Sequence, residues 1–237
     1  PIYAWVIEHA EGLIVVDTGE TARTSVSGYF PRWQPYFKLA VRMNVSPEQE
    51  IGPQMRNLGL DPERVGKVIL THLHTDHAGG IECFPNSEFL VSGNEYQSAQ
   101  GLSGMLQGYL PHRWPDWFSP KSIQFEPRAY GSFEESCAVT EAGDVVIVPT
   151  PGHTPNHVSV IVKAEGVSYF LAGDTSYSEE LLLERHPDGV SANVEVAVQT
   201  IDKILHHAEA GPTVYLPSHD PFSGERLSAE QILTPAA

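Results

Sequence analysis

Residues 71–80 read Thr-His-Leu-His-Thr-Asp-His-Ala-Gly-Gly, which places His72, His74, Asp76 and His77 within six consecutive positions. Imidazole nitrogen and carboxylate oxygen are good donors to zinc and similar divalent ions. The cluster comes directly after the apolar run Val68-Ile69-Leu70. While the chain is still extended, side chains at i and i+2 project to one side, so His72 and His74 aim at one point. Where the chain then turns, Asp76 and His77 aim at a second point nearby. Four donors are thus divided between two ions rather than crowded on one. Ala78-Gly79-Gly80 then lets the backbone pass close to the site before a helix begins. The plainer alternative is a polar loop rich in histidine. It demands no partners elsewhere, whereas a metal site does.

Three such partners exist, each after an apolar run that reads as a strand. His153 in "TPGHTPNH" follows 145–148, Asp174 in "LAGDTSY" follows 168–172, and His219 in "LPSHDP" follows 213–216. Strand ends gathered at one sheet edge are where active sites collect in α/β proteins. Two ions about 3.5 to 4 Å apart can share a hydroxide, because coordination lowers the pKa of water from near 16 towards about 7. The reaction class to expect is hydrolysis without a covalent intermediate, and no Gly-x-Ser-x-Gly elbow competes with it.

The elements that must position these residues are legible in outline. Runs at 2–7 and 13–16 flank Glu11-Gly12 as a hairpin, and Asp17-Thr18-Gly19 ends the second strand. Ser46-Pro47-Glu48-Gln49 starts a helix, with Ser as cap, Pro in the first position and Gln at the third, and Gly59 closes it. Strands follow at 67–71 and 88–92, with a short helix from Asn94. In the second half, strands at 145–148, 158–162, 168–172 and 213–216 surround a long helix over 192–209. There Val194, Val198, Ile201 and Leu205 recur at helical spacing. The aromatic segments 29–37 and 109–118 lack a period; they either wall a channel for an acyl chain or pack as long loops. No internal repeat or linker divides the chain, so residues 1–237 are expected to form one α/β domain.

Composition excludes other classes. A formal charge of −16 with only 14 basic residues argues against a nucleic-acid or anionic-membrane partner, since phosphate binding needs clustered Lys and Arg. No stretch approaches the roughly 18 apolar residues that span a bilayer, and Glu8-His9-Ala10-Glu11 interrupts any secretory signal. Cys83 and Cys137 are too few for a disulfide framework, and Cys83 reads as core. The expected location is cytoplasmic, with room for a segment upstream of Pro1.

His72-Leu73-His74-Thr75-Asp76-His77 resembles the H-x-H-x-D-H motif of the metallo-β-lactamase superfamily, and the likeness runs from the Leu13–Gly19 region to His219. The resemblance implies an αβ/βα four-layer sandwich with a dinuclear metal site between the sheets. It implies that His72, His74 and His153 hold one ion, that Asp76, His77 and His219 hold the other, and that Asp174 bridges them. The ions implied are two divalent metals, zinc foremost, with cobalt, manganese or iron compatible. "GDTSYSEE" places Tyr177 three residues after Asp174, which is similar to the N-acyl homoserine lactonase branch. Its phenol would hydrogen-bond the lactone carbonyl or protonate the leaving alkoxide; packing beside the site is the alternative. Tyr177 and Asp76 are the catalytic candidates. The function implied is opening of N-acyl homoserine lactones by attack of a metal-bridging hydroxide, and related lactonases make a homodimer compatible. Asn156 departs from the glycine of the related Gly-His-Thr-Pro-Gly-His motif, though Asn also tolerates left-handed backbone.

Asp17 and His157 read as hydrogen-bonding supports for the site. His9, His112, His186, His206 and His207 read as ordinary surface or core residues. A glyoxalase-II-like thioesterase would call for a basic helical region that the stretch after His219 does not offer. A phosphotriesterase or aryl esterase of the same fold is compatible with the donor set. Asp174 stands where true β-lactamases use cysteine, and His74 is not the acidic residue of flavodiiron sites. A non-catalytic binding module would be expected to have lost donors, yet all seven are present.

Overall fold

A computed structural model describes residues 1–34, 42–191 and 193–235 of the 237-residue chain. Two compact units emerge, one of residues 6–121 and one of residues 1–5 with 122–237. Among the described residues no helix is long and apolar enough to cross a membrane.

In the unit of residues 6–121, strands β1 (Trp5–His9), β2 (Gly12–Val16), β3 (Val65–Ile69), β4 (Glu88–Val91) and β5 (Lys121–Ser122) follow one another across a single sheet. The first two are joined at Ala10-Glu11, and Gly12 adopts φ +117 as the second begins. Strands β2, β3 and β4 are parallel, and Ile14, Val15, Val16, Val68 and Ile69 are buried along them, as the near-continuous apolar runs require.

The helix expected from Ser46 is divided. A 3-10 turn at Pro47–Gln49 carries the anticipated cap, with the Ser46 N–H donating to Gln49 Oε1 at 3.0 Å, and helix α1 then begins at Ile51–Asn57. Pro53 explains the break. It has no N–H to donate to Gln49, but in the first turn of a fresh helix none is needed. Gly59 ends α1 at φ +79.

Helix α2 is one turn, Thr75–Ala78, starting inside the histidine cluster rather than after it. Helix α3 is Gly93–Ser98, and α4, Gly101–Leu106, lies where the sequence shows no period. Gly101 and Gly104 lower the helix propensity there. Gly104 belongs because a Cβ would lie 2.2 Å from the Ala99 carbonyl oxygen.

The aromatic residues after α4 pack together. Phe118 meets Phe89 and Trp114 edge-on, with ring centroids 5.1 and 5.4 Å apart, and Trp114 stacks on Tyr96 at 5.8 Å. Tyr29 is buried and Trp33 is about half exposed, while Tyr36 and Phe37 of the other aromatic segment lie outside the described residues.

The second unit carries β6 (Cys137–Ala138), β7 (Val145–Pro149), β8 (Val158–Ala164), β9 (Val167–Gly173) and β10 (Thr213–Pro217), in the order β10-β9-β8-β7-β6. Strands β6 to β9 are antiparallel neighbours, and β10 joins parallel to β9. Helix α5 (Glu179–Leu183) precedes the long α6 (Val194–Ala210), and α7 (Ser223–Ala229) follows the last strand. The expected first residue of α6, Ala192, lies outside the described residues; Asn193 caps the helix by accepting from Val196 N at 3.2 Å.

The buried stripe of α6 also differs from the expected one. It runs through Ala197, Ile201, Ile204, Leu205 and Ala208, whereas Val194 is exposed in the first turn. That stripe packs with Val146, Val148, Ile161, Phe170 and Tyr215.

Candidate metal centre

Each unit carries candidate metal donors, His72, His74, Asp76 and His77 in one and His153, Asp174 and His219 in the other. In the first, the chain leaves β3 still extended, and His74 at φ −62 and ψ 154 is the cap residue of α2. The rings of His72 and His74 meet edge-on at 4.7 Å, and those of His72 and His77 lie 4.1 Å apart. His72 and His77 are buried, and Asp76 sits half-buried in the first turn of α2. The short helix therefore brings His77 back against His72.

Asp17 holds this arrangement. The carboxylate follows β2 in left-handed backbone, φ +61. Its Oδ2 accepts from His77 Nδ1 at 2.8 Å, and its Oδ1 accepts from Thr71 N at 2.8 Å. The Thr71 hydroxyl also donates to Asp17, at 2.9 Å to Oδ2, so Thr71 Oγ1 can accept from His72 Nδ1 at 3.1 Å. One carboxylate thus sets both rings with Nδ1 protonated, and Nε2 becomes the nitrogen that carries the lone pair. Such a tautomer is what a metal-ligating histidine needs. Asp17 performs the supporting role its sequence position suggested.

The glycine pair after the cluster answers a close approach. A Cβ at Gly79 would lie 2.5 Å from Glu20 Oε1, and one at Gly80 would lie 2.4 Å from the Thr18 carbonyl oxygen. The backbone that passes close is the 18–20 loop, tied by Thr18 N to His77 O at 2.8 Å and Gly79 N to Gly19 O at 2.9 Å.

Two buried acids in this unit were not singled out in the sequence. Glu20 accepts from Thr75 Oγ1 at 2.6 Å, Tyr29 Oη at 3.0 Å and Thr21 N at 2.8 Å. Burial pushes its carboxyl up to about 7; those three hydrogen bonds offset part of the rise, and the Asp76 charge adds to it. Burial likewise pushes the Tyr29 phenol up to about 12, with Glu20 contributing. Glu95, fully buried, accepts from Leu73 N at 3.2 Å and Tyr109 Oη at 2.9 Å, steadying the backbone between His72 and His74. Neither acid has a sequence signal of its own, since each is recognised only by what the fold brings to it.

In the second unit the donors come from three loops. Asp174 Oδ2 lies 3.6 Å from His153 Nε2 and 3.2 Å from His219 Nε2. Two imidazoles from different strand ends therefore converge on one carboxylate oxygen. Asp188 accepts from His153 Nδ1 at 2.5 Å and also takes Val190 N and Ser191 N. Burial alone would raise the Asp188 carboxyl, but the His153 ring and these donors hold it below the usual carboxylate range. Asp188 was also missed: it lies 35 residues from His153 in an unpatterned loop.

His157 supports Asp174. It accepts from the Asp174 N–H through Nε2 at 3.1 Å and donates from Nδ1 to Thr150 Oγ1 at 2.9 Å. The Thr150 hydroxyl passes on to Ser159 Oγ at 2.8 Å, whose own proton goes to the Ala172 carbonyl at 3.1 Å. Tyr177 stands beside this cluster, its ring edge-on to His219 at 5.3 Å and to His153 at 6.2 Å. Of the remaining histidines, His207 is core, packed near Tyr130, Phe133 and Phe170.

The donor chemistry fits divalent ions. Nδ1 is engaged with oxygen acceptors at His72, His77 and His153, which orients Nε2 as the donor, and carboxylates accompany the rings in both clusters.

The sequence pattern described as the metallo-beta-lactamase superfamily matches residues 1–219. The N-acyl homoserine lactonase AttM of Rhizobium radiobacter is 26% identical over 233 residues, covering 93% of this chain and 82% of the relative. An N-acyl homoserine lactonase of Bacillus thuringiensis is 27% identical over 229 residues, covering 93% and 81%. Among solved structures, a B. thuringiensis AiiA variant with N-decanoyl-L-homoserine bound at its active site superposes with a TM-score of 0.75. It is 23% identical and covers 95% of this chain and 83% of that one. The fold expected from the resemblance is thus the fold observed.

Proposed function

Because this chain belongs to the metallo-beta-lactamase superfamily, we propose that it is a dinuclear metal-dependent hydrolase that opens the lactone ring of N-acyl homoserine lactones. His72, His74 and His153 would hold one ion and Asp76, His77 and His219 the other, with Asp174 spanning both. Zinc suits this nitrogen and oxygen donor set. The convergence of His153 and His219 on one oxygen of Asp174 favours a shared carboxylate. Bound ions would supply an activated water and Lewis acidity toward the lactone carbonyl.

The observation that carries the substrate class is the placement of Tyr177 beside His153 and His219. Its phenol can donate a hydrogen bond to the lactone carbonyl oxygen as negative charge grows there, and can return a proton to the alkoxide released when the ring opens. Asp76 is the carboxylate offered to take a proton from the attacking water. An uncharged lactone also suits a chain of charge −16. On this reading residues 1–237 act as one domain.

The deciding experiment is a pH-stat panel of acyl homoserine lactones, thioesters and phosphotriesters on zinc-loaded protein. Lactones are expected to be turned over fastest; a thioester or phosphotriester faster by orders of magnitude would overturn the assignment. Tyr177→Phe should lower lactone kcat by about 10²-fold with both ions retained.

A further inference from the structure

Tyr177 lies in the loop between β9 and α5, and a loop fixes a side chain only as well as the loop itself is fixed. What fixes this one is a buried phenol on β10. Tyr215 is fully buried, and its hydroxyl oxygen lies 2.7 Å from Thr175 Oγ1 and 2.8 Å from Ser176 Oγ. The Ser176 hydroxyl donates to the Ser178 carbonyl at 2.8 Å. A phenol has one proton, so the direction of the chain follows. Thr175 donates to Tyr215, Tyr215 donates to Ser176, and Ser176 donates to Ser178. The residues on both sides of Tyr177 are thereby tied to one hydroxyl from another strand.

Tyr215 is also tied to the other side of the cluster. Its carbonyl accepts from Arg226 Nε at 3.2 Å, and the same buried guanidinium donates through Nη2 to Asp220 Oδ2 at 2.5 Å. Asp220, next to His219, accepts in turn from Phe222 N at 2.9 Å and, at the start of α5, from Glu179 N at 2.9 Å. Side chain and backbone of one residue thus reference the Tyr177 loop and the His219 turn to the same point on β10. A phenylalanine at 215 would fill the core equally well; only the hydroxyl distinguishes the two, and burying it without partners would be costly.

We infer that Tyr215 is a positioning residue that sets the Tyr177 phenol in its place beside His153 and His219. The inference rests on the catalytic role proposed for Tyr177. Removing the hydroxyl leaves Thr175 without its acceptor and Ser176 without its donor, and frees the loop to sample other placements of the Tyr177 ring. The hydrogen bonds of Tyr215 run to Thr175, Ser176 and Arg226 rather than to the side chains proposed to hold the ions, so the effect should fall on turnover rather than on metal content.

The test is a cycle of Tyr215→Phe, Tyr177→Phe and the double variant, all zinc-loaded, with kcat, KM and metal content measured for lactone opening. Tyr215→Phe is expected to lower kcat about tenfold, with KM within about twofold and two ions retained, and to lower it no further in the Tyr177→Phe background. Multiplicative losses, or an unchanged kcat, would overturn the inference. A second readout does not depend on substrate: 3-fluorotyrosine incorporated at position 177 alone should give one sharp fluorine resonance that Tyr215→Phe shifts or broadens. Thr175→Val, a milder change, should move it in the same sense. An unmoved resonance in both variants defeats the inference. If the parent protein opens no lactone while the resonance still responds, the substrate assignment fails and the positioning role stands.

Discussion

In the unit of residues 6–121, four donors come from one stretch of six residues, and the single carboxylate of Asp17 reaches two of their rings. In the other unit, three donors come from loops after three different strands, and each has its own support: Asp188 for His153, His157 for Asp174, and the Pro1 carbonyl for His219 Nδ1 at 3.2 Å. The contiguous cluster needs only a strand end and one helical turn. The dispersed cluster depends on the parallel register of β9 and β10, which shifts between Leu216 and Pro217 and pairs Pro217 with Gly173, immediately before Asp174. Local sequence secures the first, and sheet topology secures the second.

The dispersed cluster should be the more fragile to loss of one member, because Asp174 Oδ2 is the meeting point of both its rings. Asp174→Asn keeps the shape but weakens the donor proposed to be shared by two ions. The expected outcome is loss of at least one ion per chain by elemental analysis. Lactone kcat/KM should fall by more than the roughly 100-fold that marks loss of an outer hydrogen-bonding partner. A variant with two ions and near-normal turnover would show that Asp174 does not bridge.

The supporting carboxylates allow a sharper comparison. Asp17→Asn and Asp188→Asn each remove one acid while keeping its size, and asparagine also tolerates the φ +61 of position 17. Both should cost about 10- to 100-fold in metal affinity or turnover. Asp17→Asn should cost more, since two rings and Thr71 N depend on it. If Asp188→Asn proved equal or worse, Asp17 would not be the hub its hydrogen bonds indicate. Competition with a chromophoric zinc chelator reads both affinities directly.

These contrasts also explain what could be read from the sequence. His72, His74, Asp76 and His77 announce themselves by type and spacing, and the strand-end positions of His153, Asp174 and His219 by the apolar runs before them. Asp17 and His157 were legible because they sit in short motifs that end strands. Asp188, Glu20, Glu95 and Tyr215 were not, because their roles consist entirely of long-range contacts. Eight strands were visible as β-rich runs within a few residues of their observed ends, whereas the two-residue edge strands β5 and β6 were not. Helix α4 was hidden by its glycines, and the buried stripe of α6 differs from the expected one because Val194 in its first turn faces solvent. Periodicity reports a face only where the helix is covered.

The smallest effects expected are on stability, and here the two units should respond to pH with opposite sign. Glu20 has its carboxyl raised by burial from an ordinary 4.5 to about 7. The folded state therefore holds a proton that the unfolded chain has lost. Its contribution is fully present below about pH 4.5 and is lost as pH rises through about 7.

His207 has its imidazole lowered from an ordinary 6.5, by burial first and the Lys163 charge second. The unfolded chain takes up that proton first, so the contribution is present above about 6.5 and is lost as pH falls below it. Urea midpoints measured from pH 5 to 8 should therefore lose part of their alkaline decline in Glu20→Gln and part of their acid decline in His207→Leu. For Glu20→Gln the change should be on the order of 3 kcal/mol across its window. If Glu20→Gln left the alkaline limb unchanged, the carboxylate would already be ionised in the fold. The Thr75 and Tyr29 hydrogen bonds would then be stabilising charge rather than a neutral acid.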